Sequence, residues 1–535
     1  MVSLFFTFCI LFYQEFLFPV AFAQNDFDWS TIEPTSDLSW VPIDYSNEDG
    51  GKAALAVIRF PAQSDTEYKG TILINPGGPG ISGVSALTSF GPFAASVIGN
   101  QYDFVSFDPR GVANSTPRAE FFLSKEEQYQ WLASTDHWAT VVNTTSDQIP
   151  HLWASAQVLA ELAKERDSGI LNYISTDNVA RDMLRITEAA GQEKLQYWGD
   201  SYGTVLGSTF AAMFPDKVER MVLDGIVDVD AYYSGDWRNK IADADKAMQS
   251  FFDGCVAAGP DSCAFYASTA EQISDNLDSL YDSLLIQPVP VVSPPFYGVV
   301  DYTALRATVW NALCSPYELF SILAEGLASL AAGNGTIIYE VQADVYNPSS
   351  GYDNSRDAEI AIACGDAANN TDSVANLFAY SHDVEASSTF SDSLLIMQRI
   401  RCTGWKFHRE DRFTGELLPA YIHQDFVLKR LLIGPITGNT SYPILFIGNT
   451  ADPVTPLSAA KKLSTAFPGS VVLTQNSSGH TSISASSECT HAYVQAYFQN
   501  GTLPKEGTVC EVESEMFPTS SDAIGGQRRS FWGRK

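Results

Sequence analysis

At 535 residues, with 45% apolar side chains and 63 acidic against 32 basic residues, the chain is long enough for a large domain that carries an insertion. A formal net charge of −31 excludes nucleic acid as a natural partner, because a strongly acidic surface repels phosphate. The sequence has no repeat, coiled-coil or collagen period.

The first residues read MVSLFFTFCILFYQEFLFPVAFAQ, an apolar stretch with the small-x-small ending Ala21-Phe22-Ala23. This predicts a signal peptide over 1–23 and Gln24 as the first mature residue. A membrane anchor is the competing reading, and Glu15 weighs against it because an anchor would hold that carboxyl in hydrocarbon. No later stretch is long enough to span a bilayer, so stable membrane association is not expected. N-x-Ser/Thr sequons at Asn114, Asn143, Asn334, Asn369, Asn439, Asn476 and Asn500 predict a secreted glycoprotein. Beyond Cys9 of the leader, no two cysteines form a C-x-x-C pair, so zinc and thioredoxin-like readings are poor and no metal or cofactor is expected. Disulfides fit an oxidising compartment better. Cys255 with Cys263 and Cys489 with Cys510 are close in sequence, and Cys364 with Cys402 is a third candidate pair.

Short apolar runs then predict strands at Thr71–Asn75, Tyr102–Asp108, Lys194–Trp198, Arg220–Asp224, Tyr442–Gly448 and Ser470–Thr474. Between them, Val179, Met183, Ile186 and Ala190 fall on one helical face behind the capping candidates Ser175, Thr176 and Asp177. Helices are also predicted at Thr204–Phe214 and Pro456–Phe467. This alternation predicts an α/β fold with a doubly wound, mostly parallel sheet. The rhythm breaks between 231 and 430, which predicts an inserted, mainly helical cap. The expected organisation is therefore a signal peptide (1–23), a first core segment (24–230), the cap (231–430), a C-terminal core segment (431–510) and a flexible tail (511–535).

Gly199-Asp200-Ser201-Tyr202-Gly203 fits G-x-S-x-G between a predicted strand and a predicted helix. A nucleophilic serine on that turn needs small flanking residues, and the helix start behind it offers N–H groups to a developing oxyanion. Asn75-Pro76-Gly77-Gly78-Pro79-Gly80 ends an earlier strand, so the N–H groups of Gly78 and Tyr202 are the expected oxyanion hole. A phosphate loop is excluded, since neither the Gly-Lys-Ser/Thr ending nor G-x-G-x-x-G occurs there. The serine needs a base, and the base needs an orienting acid. His480 and Asp452 follow the last two predicted strands, giving the order Ser, Asp, His. Asp425 and Asp366 are weaker acids because neither follows a core strand. Asp108-Pro109-Arg110-Gly111 reads as a structural turn, with a substrate role as its alternative.

The segments ILINPGGPG, FDPRGV, STDNVARDM, YWGDSYGT, RMVLDGIVD, ILFIGNTADPVTP and SSGHTS together resemble the proline iminopeptidase group of α/β hydrolases, and more closely its secreted tripeptidyl aminopeptidase-like branch. The resemblance covers about residues 45 to 512 and is weakest in the cap. It implies an α/β-hydrolase fold and cleavage of peptides from the free amino terminus, with Ser201, Asp452 and His480 as the triad. Asn75-Pro76 stands where the simpler proline iminopeptidases open with His-Gly. Peptide substrates, or small esters, are the expected partners. Relatives hold the substrate ammonium with acids of the cap, which the resemblance does not place residue by residue here; Asp224, Asp228 and Asp366 lie near segments expected to border the site and are the candidate substrate-binding acids. A carboxylesterase is the alternative within the fold, and a non-catalytic hydrolase-like binding protein the alternative outside it.

Overall fold

The computed structural model describes residues 40–64, 67–134, 148–294, 296–343, 353–415 and 435–518. The predicted signal peptide, Asn143, Asp425 and the end of the predicted tail lie outside the described residues.

The strands are β1 (Trp40–Pro42), β2 (Lys52–Ala54), β3 (Val57–Phe60), β4 (Thr71–Asn75), β5 (Asp103–Phe107), β6 (Leu195–Asp200), β7 (Val218–Asp224), β8 (Val289–Ser293), β9 (Phe296–Val300), β10 (Leu445–Ala451), β11 (Val471–Ser478) and β12 (Val509–Cys510). The first five helices are α1 (Gly83–Ile98), α2 (Lys125–Ser134), α3 (Gln148–Arg166), α4 (Thr176–Ala189) and α5 (Tyr202–Met213). Between β7 and β10 come α6 (Val229–Ser234), α7 (Ala244–Ala258), α8 (Ala270–Ile286), α9 (Tyr302–Cys314), α10 (Pro316–Ala331), α11 (Thr336–Ala343), α12 (Ser355–Asp366), α13 (Val374–Glu385) and α14 (Ser391–Arg401). The chain ends with α15 (Leu457–Ser464) and α16 (Glu488–Asn500).

Eight strands form one sheet in the order β12-β11-β10-β7-β6-β4-β5-β3, parallel except for β3. Its middle strands are apolar on both faces, and their side chains alternate between two cores. Ile72, Ile74, Trp198 and Val222 pack on one face with Leu87 and Phe90 of α1 and Val494 and Phe498 of α16. Leu73, Tyr197, Met221 and Leu223 pack on the other with Val179 and Met183 of α4 and Val205 and Phe210 of α5. Helices therefore cover both faces, which leaves the C-terminal ends of the parallel strands as the place for a site.

From α6 to α14 the described chain adds no strand to this sheet, only the β8–β9 hairpin. Residues Thr303 to Cys314 of α9 are all buried, so this helix is the core of the insertion rather than one of its faces. Three disulfides, Cys255–Cys263, Cys364–Cys402 and Cys489–Cys510, match the candidate pairs.

The turn after β5 is structural. Asp108 accepts hydrogen bonds from Ser82 Oγ at 2.6 Å and Val84 N at 3.0 Å, at the start of α1. Arg110 is fully buried. It forks onto both carboxylate oxygens of Asp182 on α4, at 2.7 and 2.5 Å, and donates to the carbonyls of Pro42 and Ile43. Bidentate pairing and carbonyl acceptors offset the cost of burying the guanidinium.

Candidate active site

Ser201 stands between β6 and α5 with φ 54° and ψ −120°. That conformation is costly for any residue with a Cβ and persists only where the surroundings enforce it. Here they do. The Ser201 N–H donates to the Asp224 carbonyl at 2.9 Å, tying the turn to the end of β7. On the other side Gly77, at φ 94°, lies so close that a Cβ there would come within 2.6 Å of the Asp200 carbonyl and 3.0 Å of Ser201 Cβ. The strand-turn-helix context expected from G-x-S-x-G is thus present. Gly78 and Tyr202, the expected oxyanion donors, line one cleft with Ser201. Neither of their backbone N–H groups donates a hydrogen bond among the described residues.

The end of β10 carries Asp452 and the end of β11 leads to His480, and the structure brings them together. His480 Nδ1 is 3.0 Å from Asp452 Oδ2, and the two residues are 4% and 0% exposed. Asp452 also accepts from the N–H groups of Val454 (2.9 Å), Thr455 (2.8 Å) and Thr481 (2.9 Å) and from Thr455 Oγ1 (2.7 Å). Burial alone would raise this carboxyl; the adjacent His480 and these donors outweigh it and hold it below the usual carboxylate range. With Nδ1–H turned to the carboxylate, Nε2 of His480 is left as a buried acceptor, and it has no hydrogen-bond partner among the described residues. Thr455 escaped sequence reasoning. Its hydroxyl lies 3.1 Å from His480 Nδ1, and the Asp-x-x-Thr turn at Asp452 is the local signal for it.

The end of β7 joins the Ser201 turn to the His480 loop. Asp224 accepts from Ser482 N at 2.9 Å and Ser482 Oγ at 2.5 Å. Gly225 (φ 64°) follows; a Cβ there would lie 2.6 Å from Thr481 Cγ2 and 3.4 Å from His480 Cε1.

The three acids expected to hold substrate are occupied elsewhere. Asp224 does not line the cleft. Asp366 accepts from Thr176 N (2.9 Å), Thr176 Oγ1 (2.5 Å) and Tyr232 Oη (2.8 Å), so it ties α12 to α4 and α6. Asp228 caps α6 and takes Lys462 Nζ at 2.8 Å, beside a neighbouring hollow. The cleft over Ser201 has a cavity volume of about 40 Å³, and its polar lining includes Lys240, Glu359, Gln398 and Arg401. Arg401 Nη1 is 3.6 Å from Glu359 Oε1, and Lys240 Nζ donates to Gln398 Oε1 at 3.0 Å. Among the described residues no set of His, Cys, Asp and Glu could hold a metal ion, and no helix is long and apolar enough to cross a membrane.

These buried acids make stability depend on pH. Burial, with the charge of Asp224 added, pushes Asp200 well above its ordinary value. Burial, with the charge of Asp452 added and Ser482 opposing, raises Asp224 to about 7. Burial raises Asp366 to about 6 against the hydrogen bonds of Thr176 and Tyr232. A carboxyl raised in the fold stabilises it fully below the unfolded pKa of about 4, and that contribution is lost as pH rises through 6 and 7. Asp452, depressed in the fold, has the opposite sign: its contribution is present above about pH 4 and lost below. Self-repulsion of the −31 charge adds to the loss at high pH. Tm is therefore expected to rise by roughly a few degrees from pH 8 to pH 5 and to fall again in stronger acid. Calorimetry across buffers checks this; a Tm that climbs towards pH 8 would contradict it.

A family model described as alpha/beta hydrolase fold matches residues 70–262, and one described as TAP-like protein matches residues 431–510. "Serine protease Hip1" of Mycobacterium tuberculosis (strain ATCC 25618 / H37Rv) is 31% identical over 490 residues, covering 88% of this chain and 86% of that protein. "Tripeptidyl aminopeptidase" of Streptomyces lividans is 26% identical over 520 residues, covering 90% and 85%. "Carboxylesterase B" of Mycobacterium tuberculosis (strain ATCC 25618 / H37Rv) is 29% identical over 475 residues, covering 88% and 85%. With a strained serine on the turn after β6, a buried histidine–aspartate pair after β10 and β11 and these relatives along most of its length, the chain is a serine hydrolase and belongs to the TAP-like family of α/β-hydrolase serine peptidases.

Proposed function

We propose that this chain is an exported serine exopeptidase that releases short peptides or residues from peptide amino termini. In the proposed mechanism His480 takes the Ser201 Oγ proton, and the oxygen attacks the scissile carbonyl. The N–H groups of Gly78 and Tyr202 hold the oxyanion, and Asp452 fixes the imidazole tautomer and stabilises the imidazolium. Collapse transfers the proton to the leaving amine, and water releases the acyl-enzyme. The observation that carries this reading is the strained Ser201 turn bound through Asp224 to the loop of the His480–Asp452 pair.

The insertion between β7 and β10 acts as a cap over the cleft, and an enclosed cleft favours chain ends over mid-chain bonds. An ammonium taken from water needs a carboxylate partner. Glu359 supplies one in this reading: it lines the cleft, is 6% exposed, and its Oε2 accepts no hydrogen bond among the described residues. Export implies a mature chain starting near Gln24 and glycans on some of the sequons.

The test compares tripeptidyl arylamides with free and N-acetylated amino termini on one preparation. Acetylation removes the charge that Glu359 would hold, so kcat/KM is expected to fall roughly a hundredfold. Equal rates would reject the amino-terminal reading. The similarity to a protein named carboxylesterase favours the second reading, a small-ester hydrolase; that reading moves forward if acetylation has no effect and short p-nitrophenyl esters are the better substrates.

A further inference from the structure

We infer that the cleft above Ser201 is an anion-accepting subsite, in which Lys240 and Arg401 take a carboxylate of the acyl fragment, so that peptides with an acidic residue on the amino-terminal side of the cut are preferred. The inference rests on the amino-terminal exopeptidase reading for the direction of the peptide, but not for the chemistry of the subsite.

The argument is one of charge balance in a confined space. The chain holds only 32 basic residues against 63 acidic, yet the residues lining this cleft include two cations and a single carboxylate. Lys240 and Arg401 against Glu359 leave one positive charge in excess. Arg356 is also close enough to Glu359 to act on its carboxyl. A substrate ammonium beside Glu359 would raise the excess to two, and charges out of water are costly unless paired. An acidic side chain next to that ammonium removes the added excess.

Lys240 has donors for such a carboxylate. Lys240 carries three N–H donors, of which the described residues use one, towards Gln398. The ammonium otherwise sits 5.0 Å from the centroid of the Trp237 ring. The Arg401 guanidinium stands 3.6 Å from Glu359, which places the second cation on the same side of the cleft as that carboxylate. Burial lowers Lys240 to about 8 and Arg401 to about 10, and in both cases Glu359 is the charge that opposes the shift. A second carboxylate in the cleft would oppose it further. Lys240 and Arg401 line the same cleft as Ser201, Gly78 and Tyr202, so a group held by these cations belongs to the molecule under attack.

The test is a positional set of tripeptidyl arylamides in which each residue of an all-alanine parent is replaced in turn by Glu and by its neutral isostere Gln. At one position Glu is expected to exceed Gln in kcat/KM by roughly ten- to a hundredfold, the range of a charge-assisted hydrogen bond. Lys240→Met and Arg401→Met should each shrink that ratio, whereas Glu359→Gln should enlarge it. The ratio is taken within one preparation, so loss of folded protein cancels, and misfolding does not produce shifts of opposite sign. A p-nitrophenyl monoester of a dicarboxylic acid beside its neutral monoamide counterpart carries the same comparison without a peptide. Anion preference in the esters with no peptide cleavage would reject the exopeptidase reading and keep the subsite. Peptide cleavage with a Glu/Gln ratio of one or less at every position, or a ratio unchanged in Lys240→Met and Arg401→Met, would overturn the subsite.

Discussion

Ser201→Ala is expected to lower kcat by roughly a millionfold, about the effect of removing a whole triad in a serine hydrolase. Alanine keeps a Cβ, so it meets the same backbone strain at φ 54° and the same packing against Gly77, and the variant should fold with an unchanged Tm. What it lacks is the oxygen that forms the acyl-enzyme. Labelling by a fluorophosphonate probe should vanish with turnover, and peptide mapping of the labelled wild type should place the adduct on Ser201. His480→Ala should lose a comparable factor, and the double variant should be no worse than either alone, because triad members act as a unit. Full activity in Ser201→Ala would remove this serine from the chemistry.

Asp452→Asn is expected to lower kcat by roughly ten-thousandfold. All of the contacts to its two oxygens come from donors: the N–H groups of Val454, Thr455 and Thr481, the Thr455 hydroxyl and the His480 ring. An amide of the same shape must turn its NH2 towards one of these sets. Turned to His480 it demands the wrong tautomer; turned to Val454 and Thr455 it opposes two N–H groups. Either way a buried donor loses its acceptor, which costs roughly 1–3 kcal/mol of stability. The expected signature is a folded protein with a lower Tm and a rate collapse far larger than the stability loss. If Asp425→Asn proves the damaging substitution while Asp452→Asn stays active, the acid has been misassigned.

The six core strands were legible because each is a short apolar run closed by glycine, proline or aspartate, as parallel strands covered on both faces must be. The edges were not. β3 is four residues that include the exposed Arg59, and β12 is two residues, too short for any period to register. Ser201, Asp452 and His480 could be proposed from sequence because they stand just after the strands β6, β10 and β11, where local sequence marks the turns. Asp224, Asp228 and Asp366 were sensible by proximity, but proximity does not reveal that turn N–H groups, hydroxyls and a lysine already consume those carboxylates. Lys240, Glu359 and Arg401 had no local signal. They come from three separate segments of the insertion, and only packing brings them to one cleft.

The Cys364–Cys402 disulfide has a consequence for where the enzyme is complete. Cys364 lies on α12, the helix of Glu359, and Cys402 directly follows Arg401 at the end of α14. Both cysteines also line the cleft. One covalent bond therefore sets the spacing of the opposite charges above Ser201. Thiols stay reduced where a secreted chain is made and pair where it is exported to. The Ser201, Asp452 and His480 side chains need no oxidation to form, but the wall that discriminates among substrates does. Reducing agent should therefore blunt the discrimination between acyl groups before it stops hydrolysis.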